Sequence, residues 1–232
     1  ANAAMTIDRD PMLQEHLRKV AEEDFAFATE KFEREGFDLF KQMYEHSYNT
    51  SESQYMATIS WSASMLYKLT GKAYYAEKAA ETIRYVLACQ RTKPLQDPEK
   101  TCGFFYRDQS GKSIVHYIHQ SREQVYMQAM TLLCETQKQH PDYQKWVNSI
   151  QLYGNYLKGL MKYTRPYGMI PSGVYHAEEY SDSASFYALH LFPPANARQL
   201  YTEQVKRGVK LDKEHYLKRF PVWFSIFNGN TA

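Results

Sequence analysis

Cysteine is scarce. The chain has three, Cys89, Cys102 and Cys134, in 232 residues. An odd count without a Cys-x-x-Cys pair excludes a disulfide framework and a cysteine-built zinc site. Cys89 and Cys134 fall among helical residues and read as buried thiols. No apolar run is long enough to span a bilayer, and no secretion signal is evident. Charge of one sign is also lacking: 28 Lys and Arg against 26 Asp and Glu leave a formal net charge of +2. The basic residues are scattered among acids, so neither a nucleic-acid footprint nor a membrane surface is expected. There is no Gly-rich phosphate loop and no Gly-x-Ser-x-Gly nucleophile motif. No cofactor and no metal are expected.

Aromatic residues are plentiful instead: 20 Tyr, 12 Phe and 3 Trp, 15% of the chain. A Tyr ring with its polar tip suits a half-buried helix face or the wall of a polar cleft, where sugars stack on it. Either use is open for any single Tyr.

Apolar spacing predicts helices almost throughout. Pro11 opens a helix to about Arg34, with Leu13, Leu17, Val20, Ala21, Phe25, Ala28 and Phe32 at three- and four-residue steps. Gly36 ends or bends it. Ser53 to Leu69 is a second helix, Thr70-Gly71-Lys72 a turn, and Tyr74 to Gln90 a third. Two helices joined so tightly must be antiparallel. A loop runs from Arg91 to Lys112, in which Gly103 to Tyr106 suits a short strand. Val115 to about Lys138 and Tyr143 to Tyr163 form the next hairpin, turning at His140-Pro141-Asp142 with Asp142 as N-cap or first-turn residue. Arg165 to Asp182 reads as loop. Shorter helices are expected over 183–191, 195–207 and 212–219.

The two hairpins look like a repeat. Leu66, Tyr75, Ala79 and Tyr85 match Leu132, Tyr143, Val147 and Tyr153, with 68 residues between Tyr75 and Tyr143 and a turn two residues longer in the second copy. Hairpins of this kind stack to bury both faces. The long loops follow the second arm each time, so they emerge on one face, as in a toroid with a cleft at one end. The fold class expected is all-α: stacked antiparallel hairpins forming part of an (α/α)6 toroid, with residues 1–232 as a single domain.

The stretch Leu66-Tyr67-Lys68-Leu69-Thr70-Gly71-Lys72-Ala73-Tyr74-Tyr75 with Ala79 resembles the hairpin seam of six-hairpin glycosidases. His119-Gln120-Ser121-Arg122-Glu123 and Pro166 to Gly173 add to the likeness, which is loosely to bacterial family 9 glycoside hydrolases and covers roughly residues 50–230. It implies an (α/α)6 enzyme of carbohydrate metabolism acting on oligo- or polysaccharide, periplasmic or extracellular if it degrades polysaccharide. The Asp-Ala-Gly-Asp base motif and later Asn-Glu acid motif of family 9 are missing, and about half of the twelve toroid helices are present. The chain is therefore expected to be part of a larger catalytic domain, inactive alone if the rest is required. No catalytic role is carried over.

Candidate residues come from chemistry. Glycoside hydrolysis uses two carboxyls about 5–9.5 Å apart, one donating a proton and one serving as base or nucleophile. The run Tyr175 to Asp182 offers Glu178, Glu179 and Asp182 beside His176. Adjacent carboxylates raise each other's pKa, which suits a proton donor. The bland reading is a solvated acidic loop. His119, Arg122 and Glu123 share one face of a helix: Arg122 suits a carboxylated sugar, and Glu123 or His119 a proton carrier. The bland reading is a polar network at a helix start. Trp61, among Ser60, Ser62 and Ser64, is either a sugar platform facing a central cavity or a packing residue. Glu179, Glu123 and His119 are thus the catalytic candidates, and Arg122, Trp61, Tyr175, His176 and Asp182 the substrate-binding ones.

Three functions compete: a glycoside hydrolase, a polysaccharide lyase using Tyr or His as base, and a non-catalytic helical domain binding glycans or proteins. Two further expectations follow. His119, Arg122, Glu123, Tyr175, His176 and Glu179 should converge on one end of the stack. Unpaired helix faces should promote self-association.

Overall fold

A computed structural model describes residues 2–6, 10–37, 51–95, 100–111, 114–115, 123–164, 166–168, 173–176 and 222–225. Helix dominates among them. The chain clusters into two compact units, residues 1–88 with 123–150, and 89–122 with 151–232.

The first unit holds α1 (Asn2–Thr6), α2 (Pro11–Glu35), α3 (Glu52–Thr70), α4 (Ala73–Ala88), α5 (Gln124–Thr136) and the start of α6 (Tyr143–Leu160). Local chemistry sets the ends. Asp10 caps α2 by accepting the Leu13 N–H, with Pro11 in the first turn where its missing donor costs nothing. Ser51 and Gln54 form a reciprocal capping box on α3. Gly71 ends α3 in the left-handed region at φ 69°, donating its N–H to the Tyr67 carbonyl. Only two residues then separate α3 from α4, which forces an antiparallel hairpin.

α3 is the central helix. It packs on both α4 and α5. Its buried face is built of small residues, among them Ala57, Ser60, Ala63 and Ser64, which lets two neighbours approach closely. Ser60 donates across the hairpin to the Ala79 carbonyl at 2.9 Å. α3 and α5 run parallel, since Ser53 meets Tyr126 near their starts and Lys68 meets Glu135 near their ends.

The repeat is visible in burial. Ile59, Ser60, Ala63, Ser64 and Leu66 of α3 match Val125, Tyr126, Ala129, Met130 and Leu132 of α5 at a constant offset of 66 (Ile59 to Val125), all buried. In the second arms, buried Ala79, Ile83 and Val86 match Ser149, Tyr153 and Tyr156 at an offset of 70 (Ala79 to Ser149). The difference of four equals the difference between the six-residue turn 137–142 and the two-residue turn 71–72. The pairings of Tyr75 with Tyr143 and Ala79 with Val147 are thereby corrected. Tyr143 and Val147 are only half-buried, whereas Trp146 is fully buried and stacks on His140 with ring centroids 4.7 Å apart.

The helix expected from Val115 starts at Gln124 among the described residues. Ile114 instead bridges Tyr106, and Val115 donates to the Phe105 carbonyl. These two β-branched residues satisfy their backbone on an extended neighbour rather than in a helical turn. Residues 116–122, and the helices expected over 183–191, 195–207 and 212–219, lie outside the described residues.

In the second unit, the segment after α4 pairs with the Gly103–Tyr106 stretch. Gln90 bridges Phe105, Arg91 and Phe104–Gly103 exchange backbone bonds, and Gln90 Nε2 donates to the Gly103 carbonyl at 3.0 Å. Phe104 and Phe105 pack on Tyr156 and Tyr153 of α6. The loop expected over 165–182 contains a strand, β1 (Gly173–His176). It pairs antiparallel with β2 (Val222–Ser225) from the tail, Tyr175 opposite Trp223 and His176 opposite Val222. Apart from these short pairings the described chain is helical. Cys89 is fully buried as expected; Cys134 is half-buried, and burial raises its thiol pKa.

Candidate functional site

The parallel first arms place two helix starts at one end of the first unit, and that end is polar. Ser51, Ser53 and Gln54 are buried there, where an apolar core would have none of them. Ser51 Oγ lies 3.1 Å from both Ser53 Oγ and Gln54 Oε1. Ser53 Oγ lies 2.7 Å from Tyr126 Oη, although Tyr126 is fully buried. On the outer side, Tyr85 Oη donates to Glu52 at 2.7 Å. Glu123 directly precedes α5 and is half-buried, with its carbonyl accepting the Tyr126 N–H at 3.2 Å. Helix starts carry a partial positive charge, and at α3 the Ser51–Gln54 capping box takes up part of it.

Of the sequence candidates, Glu123 stands at this end. Trp61 does not. It is half-buried on α3 and lines a groove of about 440 Å³ between α2 and α3, with Ala21, Phe25, Ala28 and Ile59. Tyr175 and His176 are placed by their backbone in β1. His119, Arg122, Glu179 and Asp182 lie outside the described residues, as does Glu178, so the convergence of these groups is not described. Ser53 and Tyr126 were missed by sequence reasoning. The signal for them is a hydroxyl at the second residue of one first arm and a Tyr early in the next.

The ionic chemistry of the first unit ties second arms together. Glu22 of α2 pairs with Lys72, accepts from Tyr75 Oη at 3.0 Å and pairs with Arg18 at 2.9 Å. The Lys72 hydrogen bond, with help from Tyr75 and Arg18, outweighs burial and holds its carboxyl below the usual value. Burial, and then Glu22, push the Tyr75 hydroxyl up to about 12. Further along, Lys78 joins Glu33 and Glu81, and Arg84 joins Asp142. These pairs neutralise one another and brace the fold. In the second unit, Lys100, Thr101, Cys102, Leu152, Tyr156 and Lys162 help line a small pocket of about 150 Å³. Among the described residues no three His, Cys, Asp or Glu side chains gather as metal ligands, and no helix is long and apolar enough to cross a membrane.

No protein-family model, curated protein or solved structure matches the chain.

Proposed function

We propose that this chain is a carbohydrate-active helical-hairpin domain, a glycoside hydrolase or part of one, built on an (α/α)6-toroid plan. The observation that carries the reading is the parallel pair of first arms, whose starts gather buried hydroxyls and amides at one end. Stacked hairpins with parallel inner arms build a cleft at such an end, and hydroxyl-rich walls suit hydroxyl-rich ligands. The resemblance of the seam from Leu66 to Ala79 to six-hairpin glycosidases points the same way. In this reading oligo- or polysaccharide is the substrate. Glu179 is the proton donor, Glu123 or His119 the second proton carrier, and Arg122, Tyr175, His176 and Asp182 hold the sugar.

The test is release of reducing ends from a panel of oligo- and polysaccharides, with wild type compared with Glu179→Gln, Glu123→Gln and Arg122→Ala. General acid–base catalysis contributes about 10²–10⁴-fold, so the Gln variants should lose at least about a hundredfold while keeping their helical spectrum. Products absorbing in the near ultraviolet would instead mark a lyase. Activity unchanged in all three variants would remove these residues from the mechanism.

A further inference from the structure

The groove beside Trp61 has a counterpart elsewhere in the fold that is filled. α2 stands to α3 as α4 stands to α5: a second arm beside the next first arm. The ties recur. Glu22 reaches Lys72, just past the end of α3, and the Ala76 carbonyl accepts from Gln137, just past the end of α5, at 3.0 Å. One step on, Glu33 reaches Lys78 at 2.9 Å and Arg84 reaches Asp142 at 3.3 Å. The seat shared by α4 and α5 is occupied by α3. The seat shared by α2 and α3 is the groove of about 440 Å³.

One end of that seat is already taken. α1 packs on both α2 and α3, Ala4 is fully buried, and Gln14 Nε2 donates to the Ala4 carbonyl at 2.9 Å. The rest of the seat is lined at helical spacing by Ala21, Phe25 and Ala28 on α2 and by Ile59, Ser62 and Leu66 on α3.

We propose that this groove seats one more helix of the first-arm kind, supplied by another protein: an amphipathic helix antiparallel to α2, with Ala and Ser on its α3-facing stripe as α3 itself has. The proposal rests on the hairpin repeat and not on the carbohydrate reading, so either can fail alone. The probe is a synthetic peptide of the α3 sequence, residues 52–70, titrated calorimetrically into the intact chain. Saturable one-to-one binding is expected. Ala28→Trp, which fills the groove, and Thr58→Arg, an exposed change on the α3 side that spares the core, should each weaken it by at least about tenfold. No binding to a folded chain overturns the proposal. So does binding that both variants leave unchanged, a dimer of the chain alone that Thr58→Arg dissolves (the seat then belongs to a second copy), or displacement of the peptide by oligosaccharide.

Discussion

Ser53 Oγ and Tyr126 Oη lie 2.7 Å apart, buried, across 73 positions of sequence. This single bond joins the first turn of α3 to the first turn of α5 and fixes which ends of the two hairpins coincide. A buried hydroxyl left without its partner carries its full desolvation cost, whereas removing both partners costs less.

Tyr126→Phe should destabilise the chain by about 1 kcal/mol, the worth of the lost bond, since Ser53 Oγ keeps Ser51 Oγ at 3.1 Å. Ser53→Ala should cost a similar amount, and the double variant less than the two together, by about 0.5 kcal/mol or more. Denaturant titration of the four proteins checks this. Strict additivity would mean that the two hydroxyls do not interact in solution.

Glu22 makes stability depend on acidity. Its folded carboxyl is held below the ordinary value of 4.5, first by Lys72. A depressed carboxylate contributes stability above its unfolded pKa and loses it as pH falls through its folded pKa. Glu22→Gln should be less stable than wild type at pH 7, by about 1 kcal/mol or less since these are mostly solvent-facing partners. The gap should close as the solution is acidified below about pH 4. Thermal midpoints for both proteins from pH 7 to pH 3 supply the readout, and a gap constant across that range would contradict the assignment.

Gly103 is irreplaceable for two reasons. Its φ of +100° is one that side chains rarely adopt, and a Cβ there would stand 2.6 Å from the Leu152 carbonyl oxygen and 2.9 Å from Tyr156 Cβ. Gly103→Ala should cost about 1–3 kcal/mol from backbone strain alone, with the clash adding to it. Gly71→Ala, where nothing lies within 4 Å of the added carbon, should cost only the left-handed strain of about 1–2 kcal/mol. Equal losses in the two variants, measured by urea unfolding, would deny the close approach at Gly103.

The α3–α4 hairpin was legible in the sequence because its turn is marked locally by Gly71, while the Ser51–Gln54 capping box that starts α3 was not read. The second hairpin was legible in kind but not in register. Matching Tyr75 to Tyr143 followed residue identity, while burial follows position, and the six-residue turn carries Tyr143 to a half-buried place before Trp146 enters the core. The pairing of β1 with β2 was not legible. It joins four-residue segments whose first residues are 49 positions apart (Gly173 to Val222), with no periodicity and no hairpin turn to announce it. The Ser53–Tyr126 bond was hidden for a related reason: small residues signal close packing, but not which distant hydroxyl will meet them. Of the proposed sugar-handling residues, the sequence marked Glu123 by a helix face shared with His119 and Arg122, whereas α5 begins only after it. The acidic loop through Glu179 was marked only by composition.

The most direct test of the carbohydrate reading is a glycan microarray probed with the intact, labelled chain. The account predicts saturable binding to at least one class of oligo- or polysaccharide, abolished by millimolar free sugar of that class. A folded chain that binds no glycan on the array, or whose binding free sugar does not compete away, would contradict it.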